Sequence, residues 1–187
     1  MRGKRMNRKH EWFVKVQALC MAAMITLAAL CQPVKVQAAE VVQPSLGIDV
    51  SRYQGQIDWA QVAASGVQFA MIRVGYRTQN TGVLNEDPYA RYNLQEATKA
   101  GIKVGAYFFS SAVNAQEAVE EAEFTANILD KYQITYPVAF DMGFVDNDTA
   151  RIEGVSRADK TKITKAFLDT IAAAGYKTLL YGNKEWL

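Results

Sequence analysis

Phe69-Ala70-Met71-Ile72-Arg73-Val74-Gly75-Tyr76 is the stretch that decides the fold, and Val138-Ala139-Phe140-Asp141-Met142 repeats its message. Apolar residues stand at consecutive positions in both runs. Strands of that kind are buried on both faces, as in a parallel sheet covered by helices. Working outward, Leu46–Ser51, Val104–Phe109 and Thr178–Tyr181 also read as strands. Helices are expected between them. Asp58–Ala64 starts on a capping Asp, and Pro88–Ala100 opens with Pro. Ala115–Lys131 follows, and Arg157–Ala174 is capped by Ser156. Three helix-to-strand junctions look alike: Ser65-Gly66-Val67, Ala100-Gly101-Ile102 and Ala174-Gly175-Tyr176. Their spacing is one and two strand–helix units. The class is α/β, with right-handed connections. An eight-unit barrel takes about 250 residues. Residues 46–187 supply four units and a fifth strand, so the sheet is open or the barrel incomplete. Lys184–Leu187 reads as the start of another helix, so we expect the C-terminal part of the domain to be missing.

The 187-residue chain carries a net charge of +2, unevenly spread. Residues 1–39 hold seven Lys/Arg and one acid, while the remainder holds 14 basic and 18 acidic residues. Val16 to Cys31 is apolar except for Gln17 and Thr26, and Val36-Gln37-Ala38-Ala39 offers small residues for cleavage. Residues 1–39 therefore read as a secretory signal, 40–45 as a linker and 46–187 as the functional domain. A retained anchor and, through Cys31, a lipoprotein are the competing readings of the leader. His10, Cys20 and Cys31, the chain's only His and Cys residues, all precede residue 40. A mature chain without them has no Ser-His-Asp triad, no cysteine nucleophile, no disulfide and no usual zinc site. The acidic domain offers no nucleic-acid-binding surface. No Gly-rich phosphate loop follows the first strand, which counts against a nucleotide cofactor.

Ligands of parallel α/β folds bind at the C-terminal ends of strands. Those ends deliver Asp49 and Ser51, then Arg73 and Tyr76, then Tyr107, Phe109 and Ser110, then Asp141 and Gly143, then Tyr181 and Asn183. Two carboxylates among aromatic rings suit a sugar, because rings stack on apolar pyranose faces and carboxylates do acid/base work. Glycoside hydrolysis needs a carboxyl pair across the scissile bond. Competing structural readings are a turn cap for Asp49 and core packing for Tyr107 and Tyr181. Trp59 is read as helix packing, and Glu117, Glu120, Glu121 and Glu123 as a solvated helix face.

Gly47-Ile48-Asp49-Val50-Ser51, followed by Gln54-Gly55 and Ile57-Asp58-Trp59, resembles the opening of the family 25 glycoside hydrolases, the Chalaropsis-type lysozymes. Residues 69–76, Gly105-Ala106-Tyr107-Phe108-Phe109, Pro137 to Met142 and Leu180-Tyr181-Gly182-Asn183 resemble their later strands. The resemblance implies a modified β/α barrel of parallel strands, secreted to the cell wall. It implies cleavage of the β-1,4 bond between N-acetylmuramic acid and N-acetylglucosamine in peptidoglycan, without metal or cofactor. The expected partner is the peptidoglycan glycan strand, met by a monomer that leaves the membrane once its signal is removed. Asp49 and Asp141 match two acids of the family's cluster. Tyr76, Tyr107, Phe109, Tyr181 and Asn183 would bind the substrate.

One departure matters. The family's Asp-x-Glu motif reads Asp141-Met142-Gly143 here, and its Glu is the proton donor. A glycine has nothing to donate. Asp146, Asp148 and Glu153 on the following loop are weak substitutes, since Asp is an ordinary turn residue. Two readings follow: a lysozyme-type hydrolase by descent, or a module that holds peptidoglycan without cutting it.

Overall fold

The computed structural model describes residues 45–143 and 150–183. The signal at 1–39, linker residues 40–44, Asp146, Asp148 and Lys184–Leu187 lie outside the described residues. The elements run β1 (Gly47–Val50), α1 (Trp59–Ala64), β2 (Phe69–Arg77), β3 (Leu84–Glu86), α2 (Ala90–Lys99), β4 (Lys103–Phe109), α3 (Ala115–Leu129), β5 (Val138–Met142), α4 (Arg157–Ala173) and β6 (Thr178–Gly182), with a 3-10 turn at Arg52–Gln54. The main path of the sheet is β1-β2-β4-β5-β6, and every neighbouring pair on it is parallel. Strand, helix and next strand follow one another as the apolar runs predict. The three junction glycines adopt φ of +89°, +79° and +91°, a region that β-carbons disfavour. Among the described residues the sheet is open between β1 and β6, which fits an incomplete barrel.

Two expectations about the elements need correction. The sheet is not wholly parallel: β3 pairs antiparallel with the end of β2, Gly75 opposite Glu86 and Arg77 opposite Leu84. Leu84-Asn85-Glu86 is too short to show a period, and a tight loop folds it back, with Thr78 N donating to Val83 O at 2.9 Å. The helix expected from Pro88 begins at Ala90 instead. Asp87 Oδ1 accepts the Tyr89 N–H at 3.0 Å and turns the chain first.

One face of the sheet is the core. Register aligns Ala70 with Val104, Ile72 with Ala106, Ala106 with Val138 and Phe108 with Phe140. All are buried, with α2 and α3 packed against β2 and β4 and α4 against β5. Phe140 packs on Phe167 with centroids 4.7 Å apart, and Phe108 sits 6.4 Å from the same ring. Truncating such a ring to Ala typically costs about 3–5 kcal/mol. The opposite face carries Asp49, Arg73, Tyr107, Phe109 and Asp141, because side chains alternate along a strand.

The acidic run on α3 is not a solvated face. Glu123 is exposed, but Glu121 is fully buried. It accepts from Arg77 Nε at 2.7 Å and from Ser110 Oγ at 2.6 Å. Glu117 takes both arms of Arg151, at 2.9 and 2.8 Å. Burial pushes the Glu121 carboxyl up to about 7, against the pull of Ser110 and Arg77. The partner on β2 lies 44 residues away in sequence, so the helix pattern alone hides it. Ser110, a strand-end candidate, is thus spent on the fold. So is Ser51, whose Oγ accepts the Tyr53 N–H and whose N–H donates to Gln54 Oε1 at 2.7 Å.

Candidate functional site

The open face gathers its chemistry from four elements. Asp49 stands on β1, Arg73 and Tyr76 on β2, Tyr107 and Phe109 on β4, and Asp141 on β5. Register places Arg73 beside Tyr107 and Phe109 beside Asp141. The Tyr107 hydroxyl stands close enough to the Asp49 carboxylate to feel its charge. Burial pushes that phenol well above its ordinary range, Asp49 and Asp141 add to the shift, and Arg73 opposes it. It stays a neutral donor at any physiological pH.

Asp141 is raised too. Burial pushes its carboxyl up to about 6, the Asp49 charge adds to this, and Arg73 pulls the other way. The two acids therefore sense each other across the face. A carboxyl raised in this way can exchange hydrogen bonds with sugar hydroxyls as either acceptor or donor near pH 6.

Arg73 is held from behind. Asp87, whose side chain is fully buried, accepts from Arg73 Nε at 2.9 Å and lies 2.8 Å from Nη2. The Arg73 guanidinium carbon sits 5.2 Å from the Tyr53 ring centre and 5.3 Å from that of Tyr76. These rings, with Tyr107, Phe109, Asp141 and the loop Thr78–Thr81, line a cleft of about 600 Å³. That is ample for a small ligand. A groove of similar volume is lined by Asp58, Trp59, Tyr92 and Glu96, but Asp58 is committed to capping α1 and Glu96 to Lys99, and a smaller groove lies beside Leu180 and Lys165.

The other strand-end residues divide. Tyr181 is the register neighbour of Asp141 and is exposed on the outer strand, with Asn183 exposed just beyond it. Neither lines the cleft. Gly143 follows Asp141 by two residues, and among the described residues nothing lies within 4 Å of a β-carbon built there. Tyr53, Asp87 and the Thr78–Thr81 loop escaped the sequence reading, because none ends one of the strands it identified. Among the described residues no cluster of His, Cys, Asp and Glu could hold a metal ion, and no helix is long and apolar enough to cross a membrane.

Residues 48–187 match the model of the glycosyl hydrolases family 25. The chain belongs to that family. This family 25 chain is 37% identical over 81 residues to Lysozyme M1 of Streptomyces globisporus, a stretch covering 43% of the chain and 26% of that relative. It is 28% identical to a family 25 glycosyl hydrolase from Bacillus anthracis, with a TM-score of 0.63 over 76% of this chain and 62% of that one. The modular autolysin LytC of Streptococcus pneumoniae, solved in complex with a synthetic peptidoglycan ligand, gives 26% identity and a TM-score of 0.64 over 74% of this chain and 32% of its own. The family 25 chain therefore spans about a quarter of the curated relative and under two thirds of these solved chains.

Proposed function

We propose that this chain carries the saccharide cleft of a secreted, lysozyme-type glycoside hydrolase directed at the β-1,4 bond between N-acetylmuramic acid and N-acetylglucosamine in peptidoglycan. The observation that carries the proposal is Asp141 in an aromatic-lined cleft, with Asp49 on the same face of the sheet and close enough for its charge to act on Asp141. Family membership, the lysozyme relative and the peptidoglycan ligand of LytC support it. In this reading Asp49 and Asp141 orient the sugar and stabilise the oxocarbenium-like transition state. Tyr76, Tyr107 and Phe109 pack on the sugar rings. Tyr181 and Asn183 extend the contact beyond the cleft.

Gly143 favours a second reading, in which the chain as written holds glycan rather than cutting it. The leaving oxygen needs a proton, and position 143 has no group to give one. A missing general acid typically costs about 10²–10⁴-fold in rate. Among the described residues nothing crowds a side chain added at Gly143, which suits a direct comparison. The full chain and its Gly143→Glu form are each incubated with a peptidoglycan suspension, and clearing and released muropeptides are followed. Hydrolysis by Gly143→Glu alone, with glycan binding by both, supports the hydrolase cleft and the holding role of the parent. Equal hydrolysis by both places the proton donor elsewhere. Binding by neither overturns the glycan reading.

A further inference from the structure

Arg52 stands at the rim of the cleft with its backbone fixed and its charge uncommitted. Its N–H donates to Asp87 Oδ2 at 3.0 Å, the same carboxylate oxygen that holds Arg73. The Ser51–Gln54 capping pair locks the turn on either side. The exposed guanidinium lies between two rings, 5.1 Å from the centre of Tyr53 and 5.0 Å from that of Tyr76. Its Nη1 donates to the Tyr76 hydroxyl at 2.9 Å and its Nη2 to the Tyr53 hydroxyl at 3.3 Å. Tyr53 and Tyr76 also flank Arg73, so the two rings join the cleft floor to the rim.

The charges of the two arginines are balanced differently. Arg73 is neutralised by Asp87. Among the described residues Arg52 makes no ion pair, and the groups acting on its charge are the hydroxyls of Tyr53 and Tyr76. A guanidinium has five N–H donors in a planar fork, and the tyrosine hydroxyls take two. Holding an exposed arginine still costs rotamer entropy. Here two cation–π contacts and two hydrogen bonds meet that cost before any ligand arrives. A preorganised fork with free donors matches a carboxylate in two-pronged fashion.

We infer that Arg52, clamped by Tyr53 and Tyr76, is a subsite for a carboxylate carried by the glycan, and so selects acid-bearing muramyl chains over neutral amino-sugar polymers. The inference rests on the glycan reading above. Every second sugar of peptidoglycan bears a lactyl group ending in a carboxylate or an acidic peptide, whereas a neutral N-acetylglucosamine polymer bears none. An acidic substituent on a sugar seated against Tyr76 would lie within reach of the Arg52 fork.

Calorimetric titration of the full chain tests this with three probes: a muramyl tetrasaccharide with free carboxylates, the same compound amidated, and a neutral N-acetylglucosamine tetramer. The parent should prefer the free acid over both others by about tenfold, as a charge-assisted hydrogen-bond pair implies, and salt should erode that preference. Arg52→Gln should collapse the ratio toward one, and Arg52→Lys should restore part of it. Arg52 is exposed, so these variants fold. If the parent binds the probes and Arg52→Gln leaves the ratio intact, the subsite is refuted and the glycan reading stands. If the parent binds none of them, the glycan reading falls and the subsite with it.

Discussion

Arg73 and Tyr76 stand three residues apart on β2, yet their side chains share one face of the sheet, the Arg73 guanidinium lying 5.3 Å from the Tyr76 ring centre. An odd separation on a regular strand would put them on opposite faces. Val74 is the reason. Arg73 pairs with Tyr107 and Gly75 with Phe108, so Val74 is an extra residue, a β-bulge. The bulge keeps Tyr76 in the cleft and sends Arg77 to the helix side, where Glu121 waits. Deleting Val74 removes the extra residue and restores plain alternation, so Tyr76 should stay in the cleft and Arg77 on Glu121. Val74 is itself fully buried, so we expect only the loss of its packing, about 1.5–3 kcal/mol, read by urea unfolding. A loss of about 3–5 kcal/mol, the size of a stranded buried charge, would show that the deletion shifts the register and breaks the Arg77 contact.

The Arg77–Glu121 pair predicts a sharper contrast. Arg77→Met strands a buried carboxylate and should cost about 3–5 kcal/mol, while Arg77→Met combined with Glu121→Met removes both charges and should recover at least half of that. Chemical denaturation of the two single variants and the double variant measures the cycle. Equal losses in Arg77→Met and the double variant would mean that the pair does not anchor α3.

Asp141 should make stability fall as pH rises. Its folded value of about 6 lies above the ordinary 3.8, so the folded state binds the proton more tightly than the unfolded state does. The penalty is absent below pH 3.8, grows through the window up to about 6, and is fully present above it. At full ionisation it is roughly 3 kcal/mol at most. Asp141→Asn should therefore be more stable than the parent at pH 7.5, by roughly 1–3 kcal/mol, and nearly level with it at pH 4. Thermal melts at the two pH values decide, and a pH-independent difference would contradict the assigned shift.

Trp59 Nε1 donates to Asn93 Oδ1 at 3.1 Å in the core. Trp59→Phe leaves that oxygen buried and without its donor, a loss of about 1–3 kcal/mol before any packing change. Trp59→Phe with Asn93→Leu should regain part of it. Urea midpoints of the two variants test the claim, which fails if Asn93→Leu deepens the loss.

The fold was legible where local physics dictates it. Apolar runs at 69–76 and 138–142 give buried parallel strands, and glycines at 66, 101 and 175 close the helices. Asp49 and Asp141 were legible as strand-end acids, because a parallel sheet aims such positions toward one rim. What stayed hidden depends on partners far along the chain. Glu121 looks solvated until Arg77 arrives from β2. Asp87 looks like a turn residue until Arg73 and the Arg52 backbone converge on it. The bulge at Val74 leaves no mark in composition, and β3 is too short to show a period.

The outer strand Thr178–Gly182 has β5 on one side and, among the described residues, nothing on the other. Leu179, Leu180 and Tyr181 are exposed along it, at 44%, 40% and 63%. A bare strand edge with apolar flanks recruits whatever extended chain comes near. The colloidal behaviour of this polypeptide, its tendency to stay dispersed or to clump as it is concentrated, will therefore be governed at a rim only one strand away from Asp141.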